Sequence, residues 1–146
     1  MRFPDFLKAT VLTSATAATV LAALTAIVAS RNGDALLVPL AAGWWLVATA
    51  LGAMLGRRAE TTPPIARLLA NARPTQSLPE VWPGRILLNR LWPLLACTIL
   101  AGAVSLWFPQ VAAIASGFGI IWALSWRRQD AAVAAIEGRD GVRYYV

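Results

Sequence analysis

The chain contains no histidine. That absence removes haem ligation by imidazole, the imidazole general base and the commonest metal ligand together. Cysteine is almost as scarce. Cys97 is the only one and falls inside an apolar run, so an intramolecular disulfide is excluded and a thiolate metal cluster is implausible. It reads as a small packing residue. Charge is thin as well, at 14 % of residues, where a soluble domain carries about 25 %.

The missing charges exclude further chemistry by where they would have to sit. The seven acids are Asp5, Asp34, Glu60, Glu80, Asp130, Glu137 and Asp140, and all lie outside the apolar runs. Proton-coupled carriers generally need an ionisable group at membrane depth. Four-span multidrug carriers of the small type use a glutamate in their first span, which is here rich in Thr and Ala. Intramembrane proteolysis needs a Ser–His pair, paired aspartates or a metal site. The runs offer Ser14, Ser105, Ser116 and Ser125 without a base to activate them. No G-x-x-x-x-G-K-[ST] phosphate loop is present. The expectation is a non-enzyme, with no catalytic, cofactor-binding or metal-binding residues and no cofactor.

What is present is hydrophobic length. Apolar runs cover about Ala9–Ser30, Leu36–Gly56, Ile86–Phe108 and Val111–Trp126. At 1.5 Å per residue, about 20 helical residues cross a hydrocarbon core about 30 Å thick. Three runs reach that length and the fourth falls slightly short. The fold class is therefore all-α: a polytopic membrane protein with a four-transmembrane-helix bundle over residues 1–128, loop 57–84 and a tail at 129–146. Arg2 and Lys8 before the first run resemble a signal peptide, but the run exceeds the 7–15 residues of a signal h-region, so it is read as retained.

The basic residues supply the orientation. Twelve of the thirteen are arginine, and the net charge is +6. Arg2 and Lys8, Arg57, Arg58, Arg67, Arg73, Arg85 and Arg90, and Arg127, Arg128, Arg139 and Arg143 all fall on one side of the runs; Arg31 alone falls on the other. The excess of Lys and Arg faces the cytoplasm, which puts both termini and the long loop there, as in a cell inner membrane. A pI near 11.1 would suggest nucleic acid in a soluble protein. Here the arginines flank apolar spans, so anionic lipid headgroups are the expected counter-charge and nucleic acid is not a partner.

Local signals refine this outline. Thr13, Ser14, Thr16, Thr19 and Thr25 recur among alanines in the first span, where hydroxyls bond back to the backbone or across to another helix. Arg31-Asn32-Gly33-Asp34 is a turn, short enough to predict that spans one and two are antiparallel neighbours. Gly52 and Gly56 form a G-x-x-x-G, read as close packing within one protomer or a dimer face. Ala115, Gly119 and Ala123 make a second small-residue face. In the loop, Ile65, Leu68, Leu69 and Ala72 follow helical spacing after Pro64, predicting a short cytoplasmic amphipathic helix on the membrane surface. Pro93 should kink the third span or lie just past its start. Asp130–Glu137 predicts a helix capped by Gly138; Val142, Tyr144 and Val146 alternate like a strand that could add to a partner's sheet edge, but the reading preferred for so short a terminal segment is a frayed end.

No motif assigns an activity. The expected role is an accessory, assembly or scaffold subunit of a membrane complex, partnered by other membrane subunits or by self-association. The alternative is a small oligomeric channel or a solute or lipid transporter, lined by Thr13, Thr16, Asn89 and Arg90.

Overall fold

A computed structural model describes residues 1–57, 63–70, 73–74 and 83–145. Its elements are α1 (Phe3–Asn32), α2 (Leu37–Leu55), α3 (Pro63–Ala70), β1 (Arg73–Pro74), α4 (Pro83–Val104), α5 (Pro109–Trp126), α6 (Gln129–Asp140) and β2 (Tyr144–Tyr145). The four predicted spans are all helical, long and apolar enough to cross a membrane, the fourth running on into α6. The short loop helix is present as α3. The side chains of Ile65, Leu68 and Leu69 lie outside the described residues, as does Ala72 entirely.

α1 begins six residues earlier than its hydropathy suggests and runs for 30 residues, about 45 Å. Pro4 sits in the first turn, where its fixed φ suits a helix and its missing N–H costs nothing. Phe3, Phe6 and Leu7 extend the helix because they have something to bury against, described below. The far end closes on Gly33, whose φ of 67° is left-handed and whose N–H bonds to the Ala29 carbonyl. That geometry explains Gly at this turn. Asp34 then accepts the Leu37 N–H through Oδ1 at 3.2 Å and starts α2.

The antiparallel turn does not make α1 and α2 close partners. They meet only lightly, and each packs mainly on α5, the central helix. α5 lies antiparallel to α1, with Leu21 against Ala112 at one end and Ala18 against Gly119 further along. It lies parallel to α2, with Trp45 opposite Ala113 and Gly52 opposite Ile121 and Leu124. α4 touches α1 and α5 more sparingly and is the least buried span. The helix continues through Pro93, which cannot donate to the Asn89 carbonyl.

The buried residues of α1 recur with a coiled-coil period. Leu7, Ser14, Leu21 and Val28 are seven apart, with Phe3 before them and Thr10, Ala18 and Thr25 between them. A seven-residue repeat keeps one stripe on its partner only if the helices wind left-handed about each other. Small residues hold the other contacts. A Cβ on Gly52 would stand 2.9 Å from the Leu124 Cβ and 3.0 Å from the Ile121 Cα; one on Gly119 would stand 3.0 Å from the Ala18 Cβ. Both small-residue faces are thus used inside the protomer, including the G-x-x-x-G.

At the end of the bundle that holds both termini, Phe3, Phe6 and Leu7 form a compact apolar lobe with Leu91 of α4 and Val133 of α6. Glu137, buried on α6, accepts from Arg2 Nη2 at 3.1 Å and from the Tyr144 backbone N–H at 2.9 Å. Those bonds carry α6 past the expected Gly138 cap to Gly141, whose φ is 64°. β2 pairs antiparallel with β1, Arg73 opposite Tyr145 and Pro74 opposite Tyr144. The expected frayed end is thus paired, and its edge lies within the chain rather than on a partner. At the same end Arg128 Nη1 donates to the Arg57 carbonyl at 2.8 Å.

Candidate functional site

The hydroxyls that made α1 look polar are bonded into their own helix. Thr10, Thr13, Ser14, Thr16, Thr19 and Thr25 each donate to the carbonyl four residues back, at 2.7–2.9 Å. The remaining candidate serines do the same at three residues: Ser105 to Gly102, Ser116 to Ala113 and Ser125 to Trp122. Each bond satisfies the donor where water is absent and leaves the rest of the side chain to pack. None of these serines hydrogen-bonds to a base among the described residues.

The expected polar lining is not brought together. Thr16 and Asn89 are exposed, and neither they nor Thr13 border the apolar cavity between α1, α4 and α5. That cavity is a lateral groove of about 670 Å³ between α1, α4 and α5. On α1 it is bounded by Phe6, Thr10, Ser14, Ala18 and Leu21, and on α4 by Arg90, Leu94, Cys97 and Thr98. Ala115, Gly119, Trp122 and Trp126 of α5 close its back. The groove exists because α4 stands off from α1 and α5 between two points of contact. Leu91 joins the Phe6 lobe at one of them; Ala101 joins Leu21 and Ala112 at the other.

The groove is almost wholly apolar, and Arg90 is its one charged residue among those described. The Arg90 guanidinium has no hydrogen-bond or ion-pair partner among the described residues. Its depth follows from its neighbours. Leu91 packs with Phe6 and Leu7, Lys8 reaches Asp130 at 4.0 Å, and Trp126 directly precedes Arg127 and Arg128. Trp122 and Trp126 stack along the same wall with ring centroids 4.9 Å apart. Arg90 thus stands at the level of the basic residues that end α5, while the rest of the groove runs toward the bundle centre.

A second feature was not anticipated from the sequence. Trp44 and Trp45 of α2 both reach α5 and donate through Nε1, to the Ile114 carbonyl at 3.3 Å and the Ala113 carbonyl at 3.0 Å. Gly117 makes room for this: any Cβ there would overlap the Trp44 indole. Phe118 closes on the same ring, edge to face at 5.7 Å. The signal was available, since an indole N–H well inside an apolar span needs an acceptor. Hydropathy alone does not identify it.

No protein-family model matches the chain, and comparison with curated proteins and with solved structures finds no match. The class rests on the fold itself: an all-α bundle of four helices, each long and apolar enough to span a membrane. Among the described residues no three His, Cys, Asp or Glu side chains gather to hold a metal ion.

Proposed function

We propose that this chain is a non-catalytic integral membrane protein acting as an accessory, assembly or scaffold subunit of a membrane complex. The observation that carries this reading is the split between used and unused surface. The reactive hydroxyls of the spans are bonded into their own helices, and the small-residue faces are consumed between α1, α2 and α5. α4, by contrast, is packed on little of its surface and presents Leu88, Trp92, Ile99 and Leu100 outward. An outer face of that kind suits lipid or another membrane subunit.

The orientation proposed from the arginines puts the lobe of α6, β2 and the amino terminus in the cytoplasm. It also puts α3, with exposed Arg67, against anionic headgroups. Purification in mild detergent tests the subunit role. The expected result is a stoichiometric membrane partner identified by mass spectrometry. A lone monomer, from cells in which it is not overproduced, would overturn it.

A further inference from the structure

We propose that the groove between α1, α4 and α5 is a binding site for an anionic phospholipid, with one acyl chain along the groove and the phosphate on Arg90. This rests on the membrane placement proposed above and is independent of the accessory role. Its first support is shape. Phe6 and Leu21, which mark the groove's extent on α1, are fifteen residues apart, about 22 Å along a helix. That exceeds the ~15 Å of one hydrocarbon leaflet, half a core about 30 Å thick. A cavity of about 670 Å³ running over that length has room for a methylene chain, whose carbon contacts fall near 4 Å.

Its second support is charge. The wall is apolar except at the end where Arg90 stands, and Arg90 has no acceptor of its own among the described residues. The groove is therefore amphipathic along its length, with a cation at headgroup level and hydrocarbon below, matching a lipid with an anionic head. Thr10, Ser14 and Thr98 do not compete for the headgroup, because each already donates to its own helix. The planar guanidinium suits bidentate contact with a phosphodiester. Arg85, exposed near the start of the same helix, does not border the groove and serves as a control for charge alone.

Cys97 makes the proposal testable without adding a probe. It is the only cysteine in the chain, it is exposed, and it borders the groove, so a seated acyl chain covers it. The full-length protein in dodecyl maltoside is treated with N-ethylmaleimide while phosphatidylglycerol or phosphatidylcholine is titrated in. The expected result is that phosphatidylglycerol slows Cys97 alkylation at about fivefold lower concentration than phosphatidylcholine, the discrimination one arginine gives at an anionic surface. Arg90→Gln should abolish that difference, while Arg90→Lys and Arg85→Gln retain it. Equal protection by both lipids, or a preference that survives Arg90→Gln, would overturn the phosphate contact. Absence of protection by either lipid would overturn the acyl-chain site. Protection that needs no lipid and rises with protein concentration would assign the groove to a second copy of the chain and overturn the proposal.

Discussion

Glycine-to-alanine substitutions in the bundle should change stability with opposite signs depending on what the added methyl meets. An alanine is favoured over glycine within a helix by about 0.5–1 kcal/mol. At Gly43 the new Cβ would find nothing within 4 Å, and at Gly102 it would meet only Leu24 Cδ2 at 3.7 Å and Leu21 Cδ2 at 4.0 Å. Both substitutions should stabilise by about that amount, Gly102 slightly more because its methyl packs on two leucines. At Gly52 the methyl would stand 3.0 Å from the Ile121 Cα and 3.2 Å from its carbonyl oxygen. Those are backbone atoms that cannot rotate away, so α2 must retreat from α5 by several tenths of an ångström along the whole contact. Overpacking of that kind costs about 1–3 kcal/mol, which outweighs the propensity gain. At Gly56 the methyl would overlap the Leu124 carbonyl, and the loss should be at least as large. Thermal unfolding in detergent, read by far-ultraviolet circular dichroism, converts these to melting shifts of about 2–4 °C per kcal/mol for a chain of this size. Gly43→Ala should rise while Gly52→Ala and Gly56→Ala fall. A uniform rise at all four positions would refute the close approach of α2 to α5.

Three further outcomes follow from particular contacts. Trp45→Phe removes an N–H from the Ala113 carbonyl while keeping an aromatic ring, and should cost about 1 kcal/mol in the same unfolding assay; Gly117→Leu, which displaces Trp44, should cost more. Glu137→Ala leaves the Arg2 guanidinium and the Tyr144 N–H without their acceptor, so trypsin should cut at Arg139 and Arg143 faster while the melting temperature of the bundle changes little. The Arg139 guanidinium, chiefly through its side-chain hydrogen bond, holds the Asp140 carboxyl below the usual range. Any stability from that shift is present above the unfolded pKa and lost as pH falls through the folded one. Both residues are solvent-exposed, so Asp140→Asn should leave unfolding unchanged near neutral pH and at about pH 3.

The span count was legible because four apolar runs, three of membrane length and one slightly short of it, leave no other arrangement for their backbone hydrogen bonds. Gly52 and Gly119 were legible as contact points from their spacing among small residues. Which helix each would meet was not, since the turn at Asn32-Gly33 fixes that α1 and α2 are antiparallel but not that α5 is the principal partner of both. The seven-residue stripe of α1 was hidden by its own chemistry. Its members mix Phe, Leu and Val with Ser, Thr and Ala, so burial repeats where hydropathy does not. Phe3 and Phe6 read as a lead-in to the span because their partners, Leu91 and Val133, lie far away in sequence. The groove was out of reach for a related reason, as it depends on how far α4 stands from α1, and no residue pattern records that distance. Arg90 was singled out, but with Asn89 and Thr16, which do not border the groove.

A membrane bundle whose basic end, with both termini, faces the cytoplasm makes a sharp demand on paired cysteine accessibility. In a Cys97→Ser background, one cysteine is introduced at Arg139, exposed near the end of α6, and another at Asn32, exposed at the far turn. Intact cells are treated with a membrane-impermeant maleimide before and after permeabilisation. The Asn32 cysteine should label in intact cells, and the Arg139 cysteine only once the membrane is opened. Labelling at Arg139 but not at Asn32 would invert the orientation, and identical behaviour at the two sites would contradict the spanning bundle itself.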